Sequence, residues 1–314
     1  MKPITSKNNK LGFIGIGYMG RPIAQRLLEA GFELIAYDRD HSKAERLTPY
    51  GAKVANNIGE LLSSCNIVMS CLPSDEAVLS VYGEPCDVFA NAHHDLLVID
   101  MSTVYPETSQ ELCRLGAEHG VPVLDVTISG STPAAEKGLL TLFGGGEKAH
   151  FDASEPIFRA IARKYFYLGP SGSGATMKLV VNTLLGIGMQ AIAEAVALGE
   201  KAGLDRNRLL AVLSETAVVA PAHLGKLERA MRNDYSGQFP IRLMNKDFGL
   251  ILNLAAAVGV RMPAAGAAFE INARQLDVGQ EQDFSAVILQ MEKQAHLDIN
   301  KEKHAGAGFA STKS

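Results

Sequence analysis

Leu11-Gly12-Phe13-Ile14-Gly15-Ile16-Gly17-Tyr18-Met19-Gly20-Arg21-Pro22-Ile23-Ala24 passes from an apolar strand pattern directly into a helical one, with three glycines at the joint. The run 11–15 predicts a strand. The apolar spacing over 19–30 predicts a helix closed by Gly31 as its C′ residue. A G-x-G-x-x-G match alone says little, because glycines gather in turns of every kind; a strand before it and a helix after it are the context its chemistry requires. Gly15 then permits the tight turn, Gly17 lets the backbone approach a pyrophosphate, and Gly20 lets the helix pack on the strand. The helix N-terminus faces the anion. The expected dinucleotide contacts are Gly15, Ile16, Gly17, Tyr18, Met19 and Gly20. The plain alternative is a glycine-rich turn that binds nothing.

Eighteen residues past Gly20, a second strand pattern at 33–37 ends at Asp38-Arg39. A carboxylate there suits the adenosine ribose hydroxyls and repels a 2′-phosphate, whereas the adjacent guanidinium could pair with one. Asp38 and Arg39 therefore join the cofactor set, with NAD favoured and NADP left open. A polar turn at 38–42 leads into a helix through 47. Further strands read at 66–71, 96–100, 121–125 and 139–143, with helices at 75–82, 106–119 and 150–163. That alternation means crossover connections and an α/β, Rossmann-type, doubly wound and mostly parallel sheet. Gly169-Pro170-Ser171-Gly172-Ser173-Gly174 breaks the pattern. Beyond it only helical patterns follow, at 175–202, 205–214, 222–233, 241–258, 263–278 and 283–294. The expected division is a dinucleotide-binding domain over 1–170 and a helical substrate and oligomerisation domain over 171–314, with 305–314 frayed.

The chain has 314 residues, 47% hydrophobic and 20% charged, enough for a large core without staples. A formal net charge of -4 gives nucleic acid or an anionic membrane no basic surface to bind. Cys65, Cys71, Cys86 and Cys113 form no C-x-x-C pair, so reduced thiols of a cytoplasmic protein are expected. Residues 1–10 lack the apolar core of a secretory signal. The apolar stretch 179–198 contains Asn182, Gln190 and Glu194, which argues for a buried helix rather than a membrane span. No metal-ligand spacing is visible, and His93-His94 reads as a solvated pair.

Four separated segments resemble, in order, the β-hydroxyacid dehydrogenases of the 3-hydroxyisobutyrate dehydrogenase, tartronate semialdehyde reductase and short-chain semialdehyde reductase type. The first is 13–22. The second, Asp125-Val126-Thr127-Ile128-Ser129-Gly130-Ser131, is similar to that family's Asp-Ala-Pro-Val-Ser-Gly-Gly substrate loop, with Thr127 for proline and Ser131 for the second glycine. The third, 169–182, resembles the catalytic segment and carries Lys178 and Asn182 four apart, on one helix face. The fourth, Met244-Asn245-Lys246-Asp247-Phe248, is like the family's Lys-Asp element.

The resemblance implies that Lys178 is the general acid in carbonyl reduction and the base in alcohol oxidation, oriented by Asn182. Ser129, Gly130 and Ser131 would bind the substrate carboxylate. Lys246 and Asp247 would stand near substrate and nicotinamide, and Leu72, Pro73 and Thr103 would flank the cofactor. A free lysine titrates near 10.4, so burial would have to lower its pKa for work near neutrality. The expected reaction is hydride transfer between NAD, or NADP, and a short 3- or 4-hydroxy acid or semialdehyde. The rivals are imine reduction on the same scaffold and a non-catalytic cofactor-binding scaffold. The long small-residue helix suggests a homodimer or homotetramer.

Overall fold

The computed structural model describes residues 4–83, 88–93 and 95–297. Cys86, His94 and the segment 305–314 lie outside them. The first part of the chain alternates: β1 (Lys10–Ile14), α1 (Gly20–Glu29), β2 (Glu33–Tyr37), α2 (His41–Glu45), β3 (Lys53–Val54), α3 (Ile58–Ser64), β4 (Ile67–Ser70), α4 (Asp75–Tyr82), β5 (Leu97–Asp100), α5 (Pro106–Glu118), β6 (Val123–Ser129), α6 (Thr132–Glu136), β7 (Leu140–Gly146), α7 (Lys148–Ala153), α8 (Glu155–Ile161) and β8 (Ala162–Gly169). The eight strands form one sheet in the order β3-β2-β1-β4-β5-β6-β7-β8. Every pairing is parallel except β6 with β7. β4 and β5 are buried along their whole length, as central strands covered on both faces must be. Two apolar clusters cover the faces, one around Phe13, Ile23, Leu27 and Ile157, the other around Ile14, Leu61, Tyr82 and Val98.

The expected doubly wound sheet is present, and its far edge corrects the reading of 150–163 as a single helix. Ser154 separates α7 from α8, Pro156 lies in the first turn of α8, and the chain turns extended at Ala162. β8 went unread because, as an edge strand, it exposes Arg163, Lys164 and Phe166 in place of an apolar run. β7 also runs three residues beyond its predicted end, through Gly144-Gly145-Gly146. Those glycines answer to close approach: a Cβ on Gly144 would lie 2.1 Å from the Phe151 ring, and one on Gly145 2.5 Å from Asp125 Oδ1. The short elements β3, α3 and α6 fell below the length at which periodicity is legible.

Beyond Gly169 the described chain is helical: α9 (Ser173–Lys201), α10 (Arg206–Ser214), α11 (Pro221–Ala230), α12 (Ile241–Ala257), α13 (Pro263–Gly279) and α14 (Val287–Gln294), the last preceded by a 3-10 turn at Phe284–Ala286. Two compact units divide the chain. One takes the described residues through Thr183 together with Gly249–Arg261; the other takes Leu184–Phe248 and the described residues from Met262. Within the second unit, Gly186 leaves room for Phe248 and Met244 of α12, Gly188 for His223 of α11 and Gly199 for Leu209 of α10. Its buried charges are paired, Lys226 with Asp283 at 2.6 Å and Arg206 with Glu292 at 2.6 Å. α9 is long and apolar enough to cross a membrane by length and composition. Its buried Asn182 and Gln190, and the helices seated on its glycines, give it the surroundings of a core helix. Cys65 is buried, and Cys71 and Cys113 are half-buried. His93 is exposed, with its Nε2 2.7 Å from the Cys65 carbonyl oxygen.

Candidate active site

β1 pairs with β2 on one side and β4 on the other, so the strand order reverses there. In open sheets of this kind, ligands bind outside the carboxyl ends of the strands at such a reversal. The glycine loop lies at that point. Gly15 has φ +92°, and a Cβ on it would stand 2.5 Å from the Cys71 carbonyl oxygen. A Cβ on Gly20 would stand 1.9 Å from the Gly15 carbonyl oxygen, so α1 starts as close to β1 as backbone allows. Gly17 differs: it is exposed, and a Cβ there would meet nothing within 4 Å. Gly15 and Gly20 serve the fold, while Gly17 leaves open surface. Tyr18 is exposed, Met19 half-buried, and Met19 stands at the N-cap of α1 without a side-chain cap bond. A pyrophosphate fits this cradle, with the positive end of the helix toward it.

Asp38, at the end of β2, accepts the Ile16 N–H on Oδ2 at 2.8 Å and the Asp40 N–H on Oδ1 at 2.9 Å. The carboxylate thus staples the glycine loop to the next strand, a role its position alone did not reveal. Arg39 is exposed beside it.

A buried network at the ends of β4 and β5 holds the loop with Leu72 and Pro73. Ser70 and Ser102 each donate a hydroxyl hydrogen to Asp100 Oδ1, at 2.6 and 2.7 Å. Tyr82 donates to Ser70 at 2.8 Å, and the Leu72 N–H donates to Ser102 Oγ at 2.9 Å. Burial pushes the Asp100 carboxyl above its usual range, against the pull of the two serines. Thr103, half-buried, follows Ser102 directly. Sequence reading placed Asp100 in a strand-end element but gave no role to it, to Ser70 or to Tyr82; three polar groups in otherwise apolar strands and helix faces were the available signal.

β6 lies beside β5 and parallel to it, so Ser129, its last residue, reaches the same edge of the sheet. Ser129 is half-buried. Gly130 is exposed with φ +138°, and a Cβ would stand 2.8 Å from Leu140 Cδ2, so glycine is required. Ser131 is exposed and its hydroxyl does not cap α6. Further back in β6, Asp125 is buried, and its carboxylate accepts the N–H of Gly172 and of Ala175, both at 3.0 Å. Burial pushes that carboxyl up to about 6, with the Ala175 and Gly172 N–H groups pulling the other way. Thr127 donates its hydroxyl hydrogen to the Gly174 carbonyl at 2.8 Å. Lys178, half-buried, and Asn182, fully buried, stand one and two turns along the helix that begins there. They belong to the same compact unit as the glycine loop. Lys246 and Asp247 belong to the other unit, where they form an ion pair at 2.9 Å with Asp247 buried. Among the described residues no group of three or more His, Cys, Asp or Glu side chains could hold a metal ion.

Comparison with known proteins accounts for both parts of the chain. Residues 10–169 match the NAD-binding domain of 6-phosphogluconate dehydrogenase, and residues 172–291 match the NAD-binding family of NADP-dependent 3-hydroxyisobutyrate dehydrogenase. The chain is 36% identical over 281 residues to glyoxylate/succinic semialdehyde reductase 1 of Arabidopsis thaliana, covering 89% of this chain and 97% of that protein. It is 31% identical over 297 residues to 2-(hydroxymethyl)glutarate dehydrogenase of Eubacterium barkeri, covering 94% and 98%. Among solved structures, Mycobacterium tuberculosis 3-hydroxyisobutyrate dehydrogenase with L-serine superposes with a TM-score of 0.78 at 30% identity, over 90% of this chain and 99% of that one.

Proposed function

The chain belongs to the β-hydroxyacid dehydrogenase family and is an NAD(P)-dependent oxidoreductase of CH–OH groups; from that premise we propose that it interconverts a short 3- or 4-hydroxy acid and its semialdehyde, with Lys178 moving the proton. NAD is the favoured cofactor because a carboxylate, Asp38, directly follows β2. The observation that supports this reading best is that one strand, β6, ends in Ser129 and also hydrogen-bonds the first turn of the helix carrying Lys178.

The nicotinamide, when bound, supplies or takes the hydride at the carbinol carbon. Every other requirement falls to side chains and backbone. In reduction the Lys178 ammonium donates a proton to the carbonyl oxygen as negative charge gathers on it; in oxidation the neutral amine takes the hydroxyl proton. Asn182, four residues on, orients that oxygen or the amine. The Ser129 hydroxyl and the N–H groups of Gly130 and Ser131 grip the substrate carboxylate. Ser131 adds a side chain where the family carries a glycine, which favours a small or reoriented substrate tail. Lys246 and Asp247 are the further residues assigned to substrate and cofactor. The functional division falls at 170/171, and the protein works in the cytoplasm as a homodimer or homotetramer.

A panel of hydroxy acids and semialdehydes, run with both NAD(H) and NADP(H), tests the substrate class. Lys178→Ala should lower turnover by about 10²–10⁴-fold while dinucleotide affinity stays within about twofold of the parent. Unchanged turnover in that variant would refute the assignment of the lysine.

A further inference from the structure

We propose that Asp125 and Thr127 are positioning residues, a two-point clamp that sets where Lys178 stands relative to the carboxylate grip at Ser129; the proposal rests on the proton-transfer role given to Lys178 above. A strand interior covered on both faces calls for apolar side chains, and β6 carries a carboxylate and a hydroxyl there instead, with Asp125 and Thr127 2% and 1% exposed. Both are spent on one object. Asp125 accepts the N–H groups of Gly172 and Ala175, and Thr127 donates its hydroxyl hydrogen to the Gly174 carbonyl. In an α-helix the carbonyl of residue 174 is also the acceptor for the N–H of residue 178. The Thr127 hydroxyl therefore shares an acceptor with the backbone of Lys178 itself.

The contact is made at backbone distance. A Cβ on Gly174 would lie 2.5 Å from the carbonyl oxygens of Asp125 and Phe143, so the first turn of α9 rests directly on β6 and β7. Gly145 clears the space beside Asp125 Oδ1, and Gly172, at φ +89°, turns the chain into the helix against Gln110 and Pro106 of α5. Ser171 adds a hydroxyl bond to the Ser109 carbonyl at 3.0 Å. From this seat Lys178 is about 6 Å along the helix, and Ser129 is about 7 Å along the strand from Thr127. A single rigid strand thus sets both ends of the substrate. The motif that this segment resembles usually carries proline at position 127, which has no hydroxyl, so the second point of the clamp is not implied by the resemblance.

A helix anchor with no catalytic consequence would produce the same hydrogen bonds, and three variants separate the two. Thr127→Val removes the hydroxyl and keeps the β-branched shape; Thr127→Ser restores the hydroxyl; Asp125→Asn removes the charge. With the full-length enzyme, Thr127→Val should lower kcat about tenfold and Asp125→Asn about a hundredfold, the scale of a displacement near 1 Å. Substrate KM and dinucleotide Kd should stay within about twofold, and Thr127→Ser should recover most of kcat. Amide hydrogen exchange in the first turn of α9 should quicken in Thr127→Val and Asp125→Asn. Faster exchange with kcat unchanged overturns the clamp and leaves Lys178 standing. If the parent enzyme turns over nothing that depends on Lys178, the functional reading fails on its own, and an NMR titration of ¹⁵N-labelled Lys178 then reads the clamp without turnover. A titration midpoint that Thr127→Val and Asp125→Asn both leave unmoved would overturn it there too.

Discussion

Glycines of one motif do different work, and a single added methyl group separates them. Gly20 has no room: its Cβ would sit 1.9 Å from a backbone oxygen that cannot swing aside. Gly20→Ala should destabilise the fold by about 3 kcal/mol or more, as overpacking against backbone does, seen as a lower denaturant midpoint. Gly17→Ala should leave that midpoint where it is, because nothing lies within 4 Å, and weaken dinucleotide binding about tenfold, or ~1.4 kcal/mol. If Gly17→Ala binds dinucleotide as the parent does, the pyrophosphate does not pass over that backbone. The spacing of the glycines was legible in the sequence; the split between fold and ligand was not, because it depends on what each missing Cβ would touch.

At the level of elements, the loops with Leu72 and Thr103, proposed to flank the cofactor, are tied to a buried acid. Asp100 joins the ends of β4 and β5 through Ser70 and Ser102, and Ser102 holds the Leu72 N–H. Burial raises its carboxyl from the ordinary 3.8, so the folded chain keeps a proton that the unfolded chain releases. The stability this gives is full below about 4 and is lost as pH rises through the raised folded value. Asp100→Asn cannot ionise and lacks that loss. Its unfolding midpoint relative to the parent should therefore improve as pH is raised from 4, and a difference flat across pH would contradict a raised Asp100. Element boundaries followed the same logic as the residues. β2 and α4 read correctly because their patterns are clean, whereas β8 was hidden by the charged residues of an edge strand and the end of β7 by glycines that look like a turn.

Across the whole molecule, the homo-oligomer proposed above is tested on the exposed apolar face of α9. Leu184 and Leu198 are each 73% exposed and Val180 51%, on a helix whose other faces are covered. Positions 180, 184 and 198 repeat near whole turns, so they share one face. Leu184→Glu combined with Leu198→Glu should shift the protein toward monomer in sedimentation equilibrium, with its helical content kept. An unchanged mass in that double variant would move the association surface elsewhere.

The sequence by itself determined the class of sheet, the glycine-rich joint between its first strand and helix, the helical character of the described chain after Gly169 and the likeness to the β-hydroxyacid dehydrogenases. Each of these is carried by local pattern: periodicity, glycine spacing and short motifs. Only the tertiary structure decided that Asp125 and Thr127, read from sequence as parts of a substrate loop, hold the first turn of α9, and that Asp38 staples the glycine loop through the Ile16 N–H. Their partners lie 22 to 50 residues away along the chain. Hydrogen bonds over such separations leave no period in the sequence, since they exist only once the strands and helices that carry them have been packed.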